Sequence, residues 1–145
     1  MGRKILGGIL GYIVLFIFVF ATFSAAYLIM GAGHAFKPGS YDVSNRWLAI
    51  STVLGFIGAL IGGYTAALIG RSKMSVKITA GIVLLMGLLT IAMVAISPRS
   101  VEARGADVPN MEAMSKAQTP LWVAILGPIL SIAGVLIGGS VRRTD

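Results

Sequence analysis

Four long apolar segments without a charged side chain dominate this chain of 145 residues. They cover residues 5–30, 47–70, 78–97 and 121–141, and none contains Asp, Glu, Lys, Arg or His. A helix that crosses ~30 Å of hydrocarbon needs roughly 20 residues, and every segment reaches that length. The sequence therefore predicts an all-α integral membrane protein, in which residues 1–145 form one domain of four transmembrane helices.

The composition narrows the chemistry available to such a protein. Charged residues make up 12% of the chain, against ~25% in a typical soluble domain. There is no cysteine, which excludes disulfides and thiolate metal sites, and there is a single histidine, His34. No apolar segment contains a carboxylate or a histidine that would act as a buried acid, base or proton carrier. We therefore expect a protein without enzymatic activity and without a cofactor.

The basic residues are unevenly distributed among the connections. The two termini and the predicted turn 71–77 carry seven basic residues against one acidic residue, whereas the loops 31–46 and 98–120 carry five against four. Lys and Arg accumulate on the cytoplasmic side of membrane proteins. Both termini and the turn are therefore predicted to be cytoplasmic, in the cell membrane, with the two loops outside. Topology and anionic lipid headgroups then explain the net charge of +7 without nucleic acid as a partner.

The two tryptophans support the same arrangement. Trp47 and Trp122 each stand at the beginning of an apolar segment, on the side predicted to be outside. An indole ring prefers the interface between hydrocarbon and headgroups. Both residues are therefore predicted to be interfacial anchors.

Small residues recur at helical spacing in the second segment. One row is Gly58, Gly62, Ala66 and Gly70, and a second row beside it is Ala59, Gly63 and Ala67. On a helix the two rows form one smooth groove, and small residues allow two backbones to approach closely within lipid. The fourth segment has a shorter version, whereas the third is mostly bulky. The predicted helix-packing residues are Gly58, Gly62, Gly63, Ala66, Gly70, Gly134 and Gly138. The spacing leaves open whether they meet a helix of this chain or of another.

A short internal similarity links two of the segments. The hexapeptide GALIGG at 58–63 shares five of its six residues with GVLIGG at 134–139. Both segments begin with Trp on the outer side, so a duplicated two-helix hairpin with parallel halves is one interpretation. Chance similarity between two sequences rich in Gly and Ile is the other.

The outer loops differ in character. Glycines and Pro38 in residues 31–46 favour an irregular loop. In the second loop, NMEAMSKAQ at 110–118 predicts a short helix, and Val108, Met111 and Met114 are spaced to form an apolar stripe on the bilayer surface or on a partner.

Three functional hypotheses remain. The first is an accessory or scaffold subunit that acts by helix–helix association with other membrane protein subunits or with itself. The second is an oligomeric passive channel or carrier for small or apolar solutes, and convergence of hydroxyl groups of the segments on one cavity would favour it. The third is Cu(I) handling on the outer face, because thioethers and imidazoles are soft enough ligands. The candidate Cu(I) ligands are Met30, His34, Met111 and Met114.

Overall fold

The computed structural model describes residues 1–97, 103, 105 and 108–142, and this part of the chain is helical apart from turns and two isolated β-bridges. The long helices are α1 (Gly2–Met30), α3 (Asn45–Gly70), α4 (Lys73–Ile96) and α6 (Leu121–Val141), and the short ones are α2 (Ala32–Ala35) and α5 (Asn110–Ser115). All four long helices are long and apolar enough to cross a membrane. The predicted all-α class and the four candidate membrane spans are thus confirmed.

The connection between α3 and α4 is much tighter than the predicted turn 71–77. It consists of Arg71 and Ser72 alone, because the Ser72 hydroxyl accepts a hydrogen bond from the backbone N–H of Met74 and caps α4. The charge of Lys73 and Lys77 had placed the beginning of this helix at residue 78. Lysines in the first turns of a spanning helix carry their ammonium groups to the interface, so their charge does not mark a helix boundary.

Two other helices also begin earlier than predicted. α1 begins at Gly2 instead of residue 5, and α3 begins at Asn45 instead of residue 47. At α3 the Ser44 hydroxyl accepts from the backbone N–H of Trp47 at 3.2 Å, which fixes the first turn ahead of the apolar segment. α6 occupies the predicted range 121–141.

Helix α3 is central to the bundle. It packs against α1, α6 and α4, while α4 also contacts α1 and α6, so α1 and α6 lie at opposite corners. We call the end at which α1 and α4 begin the basic end, and the other the capped end. Burial in α4 extends from Ser75 to Gly87 and stops there. Close packing of α4 is therefore concentrated towards the basic end.

The two loops at the capped end form one folded cap. The backbone N–H of Val43 donates to the Gln118 carbonyl at 3.2 Å, and the N–H of Gln118 donates to the Tyr41 carbonyl at 2.9 Å. The buried residues of the cap are Ala35, Phe36, Tyr41, Val43 and Ala113, which pack with Tyr27 of α1. Residues 31–44, predicted as an irregular loop, thus contribute a small hydrophobic core and the short helix α2.

The short helix predicted in the second loop is present as α5, but its predicted apolar stripe is not a single face. Val108 packs against the cap core, whereas Met111 is 80% exposed. Ala113 of α5 is fully buried, and its small side chain allows the helix to approach the cap core. The side chain of Met114 lies outside the described residues.

Candidate functional site

The first row of small residues in α3 faces α1. A Cβ atom on Gly62 would lie 2.8 Å from the carbonyl oxygen of Gly11, and one on Gly7 would lie 2.5 Å from the backbone nitrogen of Gly70. At the other end of the row, a Cβ on Gly58 would lie 2.9 Å from a methyl carbon of Val19. The residue numbers increase in opposite directions, so α1 and α3 are antiparallel. All four members of the row, including Ala66, are buried.

The second row faces α6, which runs parallel to α3. A Cβ on Gly63 would collide with the Val135 carbonyl oxygen, and one on Gly138 would collide with the Leu60 carbonyl oxygen. Gly134 is buried against Ala59, and its Cβ would lie 2.7 Å from that of Ala59. The two similar hexapeptides therefore lie against each other. Duplication of a hairpin remains a hypothesis.

The predicted groove is thus two surfaces with two different neighbours. Both rows are occupied by helices of the same chain, α1 on one side and α6 on the other. A partner protein would have to bind elsewhere on the bundle.

Helix α4 has a row of its own that the sequence interpretation missed. Ser75, Thr79, Val83 and Gly87 recur every four residues and are all buried. The Thr79 hydroxyl donates to the Gly8 carbonyl of α1 at 2.9 Å, and a Cβ on Gly87 would lie 2.5 Å from Pro128 of α6. The four-residue spacing was a usable signal, but the predicted helix boundary at residue 78 separated Ser75 from the row.

The two hydroxyl groups of this row differ in their hydrogen bonding. Within the described part of the chain, the Ser75 hydroxyl is fully buried and has no hydrogen-bond partner, whereas Thr79 bonds across to α1. We expect Ser75→Ala to leave stability unchanged or to raise it by ~1 kcal/mol, because a buried unpaired hydroxyl is unfavourable. We expect Thr79→Val to lower it by ~1 kcal/mol through loss of the interhelical bond. Unfolding of both variants in mixed micelles measures this difference, and equal effects would contradict it.

Several hydroxyl groups of the long apolar helices bond within their own helices. Thr22 and Thr65, for example, donate to the carbonyls of Phe18 and Ile61, four residues earlier. Ser51, Thr52 and Thr90 likewise donate to carbonyls three or four residues earlier. These five hydroxyls therefore do not supply the converging polar path that would favour the channel hypothesis, which stays a hypothesis.

The two tryptophans occupy different environments. Trp47 makes edge-to-face contacts with Tyr27 and Phe23, with ring centroids 5.9 Å and 5.7 Å away. It therefore joins α1 and α3 beneath the cap, in addition to its place at the beginning of a span. Trp122 is 61% exposed at the start of α6. Their role as interfacial anchors remains a prediction.

The residues of the Cu(I) hypothesis have other local contacts. The His34 Nδ1 atom lies 2.9 Å from the Met30 carbonyl oxygen, so the imidazole interacts with the last turn of α1. Met111 projects from the cap, and the Met114 side chain lies outside the described residues. No observed geometry brings soft ligands together, and Cu(I) handling stays a hypothesis.

One face of α3 remains exposed. Its members are spaced by three, four or seven residues and are between 36% and 58% exposed. We call it the α3 seam, and it consists of Ile50, Val53, Ile57, Tyr64 and Leu68. Tyr64 is its one polar residue, and its hydroxyl makes no hydrogen bond with the described part of the chain. Spacings of this kind are typical of helices that pack along a shared seam.

Comparisons with known proteins give no further assignment: the chain matches no protein-family model, no curated protein and no solved structure.

Proposed function

We propose that this chain is a non-enzymatic accessory or scaffold subunit that acts by association with other membrane protein subunits, or with itself. The observation that carries the proposal is the α3 seam. Helix α3 buries its glycine rows against α1 and α6, yet the residues of the seam stay exposed. A second transmembrane helix is the kind of partner that such a face accepts.

The depth of Tyr64 strengthens the argument for a protein partner. Tyr64 lies seven residues before Arg71, which corresponds to about 10 Å along the helix. Helical side chains lean towards the amino terminus of their helix. For Tyr64 this direction points away from the basic end, where α3 ends, and towards the middle of the hydrocarbon layer. A hydroxyl without a partner there is unfavourable, because lipid tails offer no hydrogen bonds. A donor or acceptor on a neighbouring helix would satisfy it.

We further propose the orientation and the assembly mechanism that the sequence predicts. The proposed location is the cell membrane with both termini cytoplasmic, and the asymmetry of basic residues supports it. Close contacts of Gly and Ala are proposed to drive packing of the bundle, because van der Waals contact replaces the hydrophobic effect within lipid. The burial of Gly62, Gly63 and Gly138 supports this mechanism.

A tagged full-length chain, purified from its own membranes in mild detergent, tests the proposed association. Mass spectrometry of the eluate and its molar mass in solution are the two measurements. We expect a stoichiometric partner, and we expect Tyr64→Phe to reduce its recovery about fivefold, the equivalent of ~1 kcal/mol for one interhelical hydrogen bond.

Matched isoleucines provide the control. Ile57 is 39% exposed in the α3 seam, and Ile129 is 58% exposed on α6. Ile57→Ala should weaken association, while Ile129→Ala should not. A single-chain mass without a partner, or an equal loss in both variants, would contradict the proposal. A pure homo-oligomer would support self-association and direct attention to flux measurements in liposomes.

A further inference from the structure

The basic end of the bundle concentrates positive charge without a visible counter-charge. Arg3, Lys4, Arg71, Lys73 and Lys77 are all exposed there. The acidic residues within the described part of the chain are Asp42 and Glu112, and both lie in the cap at the opposite end. Within the described part of the chain, no acidic side chain therefore lies at the same end as these cations.

Packing brings three of the helix ends together. The Nε atom of Arg3 donates to the Ile69 carbonyl at 3.0 Å, which ties the start of α1 to the last turn of α3. One turn further along α1, a Cβ on Gly8 would lie 3.0 Å from the Ser75 carbonyl oxygen of α4. The Arg3 guanidinium is thus held at the junction of the three helices, and its Nη groups make no hydrogen bond with the described residues.

Arg71 is in an unusual backbone conformation for its residue type. Its φ is 47° and its ψ is 36°, and it is the one non-glycine residue with a positive φ in the described part of the chain. Its N–H donates to the Ala67 carbonyl at 3.0 Å and closes the end of α3. Glycine is the usual residue at such a helix end, because a Cβ atom is unfavourable there. An arginine at this position indicates that its side chain serves a purpose other than ending the helix.

We infer that the basic end is a binding site for the phosphate headgroup of an anionic phospholipid. The site consists of Arg3, Arg71 and Lys73, with Lys4 and Lys77 beside them. Guanidinium groups bind phosphate oxygens through paired N–H donors, and each basic residue near a membrane surface strengthens attraction to anionic lipid. The acyl chains would lie along the apolar sides of α1 and α4, where Ile5 and Met74 are exposed. This site is independent of the proposed association through the α3 seam.

The test uses the full-length chain in mild detergent, titrated with phosphatidylglycerol or with phosphatidylcholine and observed by native mass spectrometry. We expect preferential retention of phosphatidylglycerol. Arg71→Gly should weaken that retention about fivefold, and so should Lys73→Gln, since one basic residue near the surface contributes about this factor. Arg71→Gly should leave the melting temperature unchanged or raise it, because glycine adopts the backbone conformation at this position more easily. If Arg71 served only to end the helix, its replacement by glycine would not weaken lipid retention while leaving the melting temperature unchanged or higher.

Arg46→Gln is the control, because Arg46 is exposed in the first turn of α3 at the capped end. It removes the same charge from the whole protein and should leave lipid retention as it is. Equal retention of both lipids would overturn the inference, as would retention by Arg71→Gly that matches the unaltered chain. If Arg46→Gln lost lipid retention to the same extent, retention would depend on the total charge of the protein rather than on this site, which would also overturn the inference. Displacement of phosphatidylglycerol by inorganic phosphate at matched ionic strength would assign the site to a soluble anion instead.

Discussion

Replacing Gly63 with leucine is expected to separate α3 from α6 and to destabilise the bundle by at least ~3 kcal/mol, the upper part of the range for overpacked cores. The first atom of the new side chain would collide with the Val135 carbonyl oxygen. A backbone atom within a helix cannot rotate away as a side chain can, so the two helices must move apart. Gly62→Leu should act similarly against α1, since its Cβ would lie 2.8 Å from the Gly11 carbonyl oxygen.

Gly81 and Gly127 are the matched controls for these substitutions. Both lie inside spanning helices, and a Cβ on either would meet no atom within 4 Å. Leucine has a higher helix propensity than glycine by up to ~1 kcal/mol, so Gly81→Leu and Gly127→Leu should be neutral or stabilising. Chemical unfolding in mixed micelles compares the four variants. Similar stabilities for all of them would show that close backbone approach does not hold this bundle together.

Replacing Phe36 with alanine is expected to unfold the cap while the four long helices remain assembled. Phe36 is 3% exposed, and its ring lies 6.2 Å from that of Tyr27 and 6.4 Å from that of Tyr41, both nearly perpendicular. Removal of a buried phenylalanine typically costs ~3–5 kcal/mol. The cap has a core of only a few residues, which is too small to absorb a loss of that size.

Hydrogen exchange measures this effect directly. The amides of Val43 and Gln118, which bond across the cap, should lose protection in Phe36→Ala, while amides in the middle of α3 should keep theirs. Phe20→Ala is the control, because Phe20 is 66% exposed on α1 and lies outside the cap. Retained protection of Val43 in Phe36→Ala would mean that the cap is stabilised by its hydrogen bonds rather than by its aromatic core.

Hydropathy and length were sufficient to predict the four helices that are long and apolar enough to span a membrane, because an uncharged apolar run of roughly 20 residues matches the thickness of the hydrocarbon layer. The spacing of Gly58 to Gly70 identified small-residue rows. It did not reveal that Gly62 and Gly63 face different helices, because spacing describes one helix and says nothing of its neighbours. Ser75 and Thr79 were missed for a related reason, since charge placed the helix boundary between them.

The cap was the least predictable part of the fold. Gly31, Pro38 and Gly39 favoured an irregular loop, and Gly31 and Gly39 do adopt positive φ angles. The contacts of Phe36 and Tyr41 with Ala113 arise between loops that are distant in sequence, and local composition contains no information about such contacts. The aromatic residues themselves were the available signal, because exposed loops rarely concentrate them.

The hydrogen bonds between Val43 and Gln118 also have a consequence for biosynthesis. A ribosome adds ~5–20 residues per second, so residue 118 emerges on the order of 10 s after residue 43. During that interval the cap core lacks Ala113, so the only core residues available to Phe36 and Tyr41 are Tyr27 of α1 and those of their own loop. Synthesis of α3 and α4 therefore proceeds while this aromatic loop still lacks its contacts with the second loop, and a chain stalled before α5 would leave Phe36 and Tyr41 accessible to chaperones and proteases.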